Sequence, residues 1–267
     1  MTNEIMTPEK WNDLCSEAAS QMRSHVLPFL TPISRALSDE YGEQHGSGSY
    51  IQADGGVFLI TNEHVACRSG GYPLTHQFWN SENVYRVQHS WASERYPVDV
   101  AACRIDDPVW IHDNHDALGI PIRRFAETHA PEDRELLFFA GYSGDRSKFL
   151  FGHLFAPGTP YLTQKIATPD DVPEANDEYH FALPYNPARA VSVDGSSELP
   201  TPPGFSGSLV WDTKRVACLQ RGMQWTPEMA EVTGIVWGWP SSEGCILATK
   251  VEHIELHDLL AKAERQA

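Results

Sequence analysis

The hydrophobic pattern changes period near Gly48, and that change limits what the chain can fold into. Before it, Trp11, Leu14, Cys15, Ala18, Met22 and Val26 recur at three- and four-residue spacing, one apolar stripe along a helix. Thr7 can cap this helix, Pro8 suits its first turn, and Pro28 should end or kink it. A second short helix is expected over residues 32–41, followed by a loop over 42–49. Beyond Gly48 the helical spacing gives way to short β-branched and aromatic runs between turns. Residues 50–52 and 57–61 read as a hairpin around Asp54-Gly55-Gly56, and 84–89 and 98–105 as further strands. Strands are also expected at Phe138-Phe139, Phe149-Leu150-Phe151, and residues 179–183, 209–211, 215–219 and 232–237. Residues 221–231 read as an insertion, and 106–133 as a linker rich in Asp, His and Pro. Helical spacing returns in Leu256, Leu259, Leu260 and Ala263, an amphipathic terminal helix.

Three strand-adjacent segments carry chemistry. Leu59-Ile60-Thr61-Asn62-Glu63-His64-Val65-Ala66 presents a histidine, Val98-Asp99-Val100-Ala101 an aspartate, and Pro203-Gly204-Phe205-Ser206-Gly207-Ser208 a serine between glycines. A serine hydroxyl is a poor nucleophile at neutral pH and needs a base such as imidazole. The imidazole in turn needs a carboxylate on its other nitrogen to hold the working tautomer. A glycine two residues before the serine lets the backbone turn, so that the N–H groups of Gly204 and Ser206 can point at one oxygen. Each piece alone has a plainer reading: Gly-x-Ser-Gly as a tight turn, His64 as a core histidine, Asp99 as a turn residue. Together, in this order and these contexts, they are the inventory of nucleophilic acyl transfer.

These segments resemble the trypsin-like (chymotrypsin-fold) serine proteases, in the form common in bacteria. The approach Gly46-Ser47-Gly48-Ser49 and the hairpin after it are similar to the family's first hairpin. Leu136 to Tyr142 resembles the opening strand of its second barrel. Gly234-Ile235-Val236-Trp237-Gly238 and Ala248-Thr249-Lys250-Val251 resemble the strands that close its substrate cleft. The resemblance covers roughly residues 46–265 and implies an all-β fold of two antiparallel six-stranded barrels. Residues 1–45 would be a helical extension, 46–118 the first barrel with His64 and Asp99, 119–250 a linker and second barrel with Ser206, and 251–267 a helix. It implies a serine endopeptidase without a cofactor, with His64, Asp99 and Ser206 as triad and Gly204 and Ser206 as oxyanion hole. The substrate pocket would lie at Pro200, Trp237, Gly238 and Ile246.

The sequence departs from the family at three places. Phe205 stands where secreted members carry an aspartate that pairs with a freed amino terminus, so activity should not need a zymogen cut. Ser208 replaces the usual second glycine after the nucleophile. Pro200 at the pocket base is not acidic, which removes the salt bridge that selects Lys or Arg. Bulky walls would make the pocket shallow and apolar. Such changes also keep open a catalytically silent relative, or an effector activated by a protein partner docking on residues 1–45.

A formal net charge of −16 argues against a phosphate-backbone partner, and the resemblance implies proteins or peptides as substrates. No apolar run approaches the roughly eighteen residues of a membrane span. The first 21 residues lack a basic start followed by an apolar stretch. Five widely spaced cysteines do not suggest a disulfide framework, and Val65 follows the histidine where secreted relatives place a cysteine. Both features point to the cytoplasm, the alternative being a secreted chain already stripped of its signal. His112-Asp113-Asn114-His115-Asp116 offers ligand types for a metal but no supporting residues at a suitable spacing, so it reads as a solvated loop and no metal is expected.

Overall fold

Two runs of consecutive apolar residues, Val57 to Ile60 and Leu136 to Ala140, lie in strands that are buried on both faces. In a computed structural model, which describes residues 6–38, 40–150, 153–187, 190 and 199–267, these strands sit inside two sheets. The side chains alternate between clusters, as a period of two requires. Val57 and Leu59 join Ile33, Tyr50 and Phe78, while Phe58 and Ile60 face the other way. Leu137 and Phe139 join Phe181, Tyr185 and Phe205, while Phe138 and Ala140 face the other way. The outward sets of both sheets merge into one cluster that also takes in both terminal helices.

The first sheet comprises β1 (Leu30–Ala36), β2 (Gly42–Ala53), β3 (Gly56–Thr61), β4 (Leu74–Gln77), β5 (Val84–Arg86), β6 (Ala92–Glu94), β7 (Val100–Arg104) and β8 (Ile120–Pro121). Its order is β5-β4-β1-β2-β3-β7-β6, antiparallel throughout except for β8, which pairs with β2 in parallel. The second half holds β9 (Leu137–Gly141), β10 (Lys148–Leu150), β11 (His153–Phe155), β12 (Thr159–Thr163), β13 (His180–Pro184), β14 (Leu209–Asp212), β15 (Glu231–Gly238) and β16 (Cys245–Lys250). Six of these form a sheet in the order β12-β9-β14-β15-β16-β13, and β10 and β11 form a separate hairpin. Phe151, expected to extend β10, lies outside the described residues. This is a chymotrypsin-like two-domain β fold, with eight strands rather than six in the first sheet.

The terminal helices cross over. Helix α1 (Pro8–Val26) buries Leu14, Ala18, Met22 and Val26 and packs on β9 and β12 of the second domain. Its Glu17 meets Arg215 at 2.8 Å. The last helix, α5 (Leu256–Gln266), follows the second domain but packs on β6 and β7 of the first, with Glu264 at 3.3 Å from Arg104. Between them lie α2 (Glu63–Cys67), α3 (Asp107–His112) and α4 (Arg215–Gln220). No helix among the described residues is long and apolar enough to cross a membrane.

Three sequence expectations give way here. The helix expected over residues 32–41 is replaced by β1, held between β2 and β4. Pro32 is tolerated because the β4 pairing begins only at Ile33. The loop expected over 42–49 is the first eight residues of β2. The strand expected over 215–219 is α4, because a distant carboxylate caps it. Glu135 is 2% exposed and accepts the N–H groups of Val216 at 2.8 Å and Ala217 at 2.9 Å. The expected insertion at 221–231 is packed, with Trp225 donating from Nε1 to Thr213 C=O at 2.7 Å. In the loop over residues 112–116, Asp113 accepts from Ser81 and Asn83, each at 2.7 Å.

Candidate active site

His64 and Asp99 are brought together by the ends of two adjacent strands. Strand β3 stops at Thr61 and the chain turns into α2, anchored by the fully buried Val65. His64 is thereby left facing outward, its side chain 30% exposed. Asp99 immediately precedes β7, which pairs with β3. Its φ of +52° is left-handed, a conformation Asp tolerates better than most residues. The carboxylate takes two donors from one residue: the His64 ring Nδ1 lies 2.6 Å from Oδ2, and the His64 backbone N–H donates to Oδ1 at 3.0 Å. Asn62 fixes the Asp99 backbone by donating from its amide to Asp99 C=O at 2.7 Å. Asp99 is 6% exposed, so little water competes for its oxygens. This two-point hold sets the proton on Nδ1 and leaves Nε2 as the accepting nitrogen.

Ser206 stands on a pair of consecutive turns. Phe205 N–H donates to Pro202 C=O at 2.8 Å, and Ser208 N–H to Phe205 C=O at 2.9 Å. The third residue of each turn is a glycine at positive φ, Gly204 at +102° and Gly207 at +92°. Proline then glycine at the two central positions is the type II signature, which explains Pro203-Gly204. Neither glycine can carry a side chain. A Cβ on Gly204 would lie 2.4 Å from Tyr142 C=O, and one on Gly207 2.0 Å from Ser47 C=O.

The hydrogen bonds of this segment leave two donors over. The carbonyls of Pro203, Gly204, Phe205 and Ser206 accept from Gly144 N–H, Ser47 Oγ, Ser208 N–H and Ser47 N–H. The N–H groups of Phe205, Gly207 and Ser208 donate to Pro202, Val236 and Phe205. Among the described residues, the N–H groups of Gly204 and Ser206 have no acceptor. Among the same residues no hydrogen bond joins Ser206 Oγ to His64.

Two contributors were missed from the sequence. Ser47, fully buried in β2, donates from Oγ to Gly204 C=O at 2.8 Å and accepts Tyr142 N–H at 2.9 Å. Its backbone N–H lies beyond the β3 pairing, which begins at Ser49, and donates instead to Ser206 C=O at 2.7 Å. The flanking glycines were the available signal: a Cβ on Gly46 would meet Val65 at 2.6 Å, so only glycine lets β2 come this close. The second is the packing of Phe205. Its ring is 1% exposed and meets Phe139 and Tyr185 edge-on at 5.7 and 5.9 Å. Apolar contacts thus seat the residue that precedes Ser206.

The four expected pocket residues divide. Trp237 and Gly238 lie half-buried at the end of β15, with the Trp237 ring 4.7 Å from His180 and 6.1 Å from Tyr96. Burial holds the His180 imidazole below its ordinary pKa. Pro200 and Ile246 are buried. Pro200 C=O accepts the Tyr185 hydroxyl at 2.7 Å, and Ile246 packs in the same cluster as Tyr185. All five cysteines are free.

The sequence matches no family model and no curated protein. Solved structures do resemble the fold. One is the scabies mite inactivated protease paralogue S-I1, 12% identical over 88% of this chain and 95% of that one, with a TM-score of 0.52. Another comes from work on the coupled folding and binding of the Sesbania mosaic virus VPg protein, 14% identical over 87% and 90%, TM-score 0.50. The MamO protease domain from Magnetospirillum magneticum is 11% identical over 88% and 97%, TM-score 0.49. At such identities the likeness is one of fold: a chymotrypsin-like pair of β domains.

Proposed function

We propose that this chain is a serine endopeptidase. Ser206 attacks the carbonyl carbon of a peptide bond, and His64 Nε2 takes the hydroxyl proton. Asp99 keeps His64 in the tautomer that can do so and stabilises the imidazolium. The oxyanion of the tetrahedral intermediate is received by the N–H groups of Gly204 and Ser206. His64 then protonates the leaving amine, and water repeats the sequence on the acyl-enzyme. No cofactor takes part.

The observation that carries this reading is the two-point hold of Asp99 on His64, at 2.6 and 3.0 Å. A core histidine needs one partner; a base must also be fixed in tautomer and direction. Bulky side chains at the pocket positions, Trp237 and Ile246, favour a small or medium apolar residue before the scissile bond. Free cysteines suit a reducing, cytoplasmic setting. A regulatory partner docking on residues 1–45 would have the exposed face of α1, since its apolar stripe is already buried.

The second reading is a silent relative that only binds a protein partner. It draws on the missing Ser206–His64 hydrogen bond and on the fold shared with an inactivated protease paralogue. A fluorophosphonate probe decides between them. Wild type should label covalently at Ser206 and Ser206→Ala should not. Wild type that stays unlabelled means the silent reading is right, and labelling that survives in Ser206→Ala moves the nucleophile elsewhere, with Ser208 the first to check.

A further inference from the structure

Phe205 leaves open what orients the Gly204 N–H, since packing a ring does not by itself set a peptide plane. The backbone supplies the answer. In a trans peptide the C=O and the following N–H point in opposite directions. Pro203 C=O accepts Gly144 N–H at 3.0 Å, so Gly204 N–H is turned away from the Gly144 segment. If that bond were lost, the 203–204 peptide could rotate and one of the two donors would leave the site.

Gly144 is held in place by its neighbours. Ser143, fully buried, donates from Oγ to Thr201 C=O at 2.9 Å. Asp145 accepts Thr201 N–H at 3.1 Å and the Thr201 hydroxyl as well. Asp145 N–H closes back on Ser143 Oγ at 3.2 Å. Three adjacent residues on the loop after β9 thus grip Thr201 and Pro203, just ahead of the nucleophile. Tyr142 C=O and the Gly144 nitrogen also crowd Gly204.

We propose that Ser143-Gly144-Asp145 is a clamp that pre-orders the oxyanion turn through Thr201 and Pro203, with Asp145 and Thr201 as positioning residues. It stands in place of an ion pair to a freed amino terminus, so the turn is ordered in the uncut chain. The clamp rests on the serine hydrolase reading for its consequence, though not for its existence. Asp145 and Thr201 are both exposed, so the bonds between them can be cut without opening the core.

The test compares wild type with Asp145→Ala, Thr201→Val and Thr201→Ser. The first two lose the carboxylate–hydroxyl contact, and the third keeps it. Fluorophosphonate labelling should slow about ten- to hundredfold in the first two, the scale of a small misplacement at a reacting centre, and stay near wild type in Thr201→Ser. With p-nitrophenyl acetate the loss should fall on kcat and leave KM unchanged. Hydrogen exchange over residues 201–208 should quicken in Asp145→Ala and Thr201→Val, with the melting temperature little changed. If wild type labels and these two variants label equally fast, the clamp is refuted and the hydrolase reading stands. If wild type does not label, the hydrolase reading fails, and exchange alone decides: faster exchange supports the clamp, unchanged exchange overturns it.

Discussion

Replacing Asp99 with Asn should silence Ser206 while leaving the chain folded. The carboxylate accepts two hydrogen bonds from His64, one at the backbone N–H and one at Nδ1. An amide has one oxygen. If that oxygen takes the backbone N–H, the new NH2 faces Nδ1, which must give up its proton. The proton then sits on Nε2, where it blocks acceptance from Ser206. The opposite orientation sets an NH2 against a fixed N–H, at a cost of about 1–3 kcal/mol for an unmet buried donor. The wrong tautomer is therefore preferred by roughly that amount. The variant also loses the negative charge that stabilises the imidazolium, about 4 kcal/mol for charges some 4 Å apart at an effective dielectric of 20. Together these reach about 5–7 kcal/mol, or roughly 10⁴- to 10⁵-fold at about 1.4 kcal/mol per decade. Asn accepts the left-handed φ of +52°, so the backbone need not move. Second-order labelling by a fluorophosphonate gives the rate, and thermal melting reports the fold. A folded Asp99→Asn protein that labels within tenfold of wild type would refute the reasoning.

Three further outcomes can be checked. Gly204→Ala places a methyl 2.4 Å from Tyr142 C=O and should cut labelling by about a hundredfold or more; Gly222→Ala, at φ +64° with open space around it, should cost only about 1–2 kcal/mol in denaturant and leave labelling unchanged. His76 is fully buried, with Nδ1 at 2.9 Å from the Tyr50 hydroxyl, and burial lowers its pKa to about 4. Below an unfolded pKa of about 6.5 the unfolded chain binds a proton that the folded one refuses, so stability falls from there down to about pH 4 and then levels off. By pH 5 the loss should be about 2 kcal/mol, and urea titrations of His76→Phe should show a shallower slope between pH 7 and 5 than wild type. Trp211, 1% exposed and stacked on Phe29 at 6.0 Å, fastens the start of the chain to the second domain; Trp211→Ala should cost about 3–5 kcal/mol by chemical denaturation.

The readings that held rest on local physics. Helix α1 was legible from its stripe and its Thr7 and Pro8 signals, and α5 from its own stripe, because spacing and caps are properties of neighbouring residues. The hairpin of β2 and β3 was legible in the same way. Gly204 and Gly207 were recognisable as turn residues, since positive φ is a local demand. What failed, or could not be read, depended on residues far apart in the chain. β1 looked helical because its spacing fits either period, and its pairing with β2 and β4 decided the matter. α4 looked like a strand until Glu135, some eighty positions earlier, supplied its cap. The chain order of His64, Asp99 and Ser206 is written in the sequence, but the hold of one carboxylate on both N–H groups of His64 is not. Nor is the role of Ser47, or of the segment after β9, in settling which peptide N–H groups stay free. The direction of a donor depends on what its neighbours in space accept, and only the folded chain brings those neighbours together.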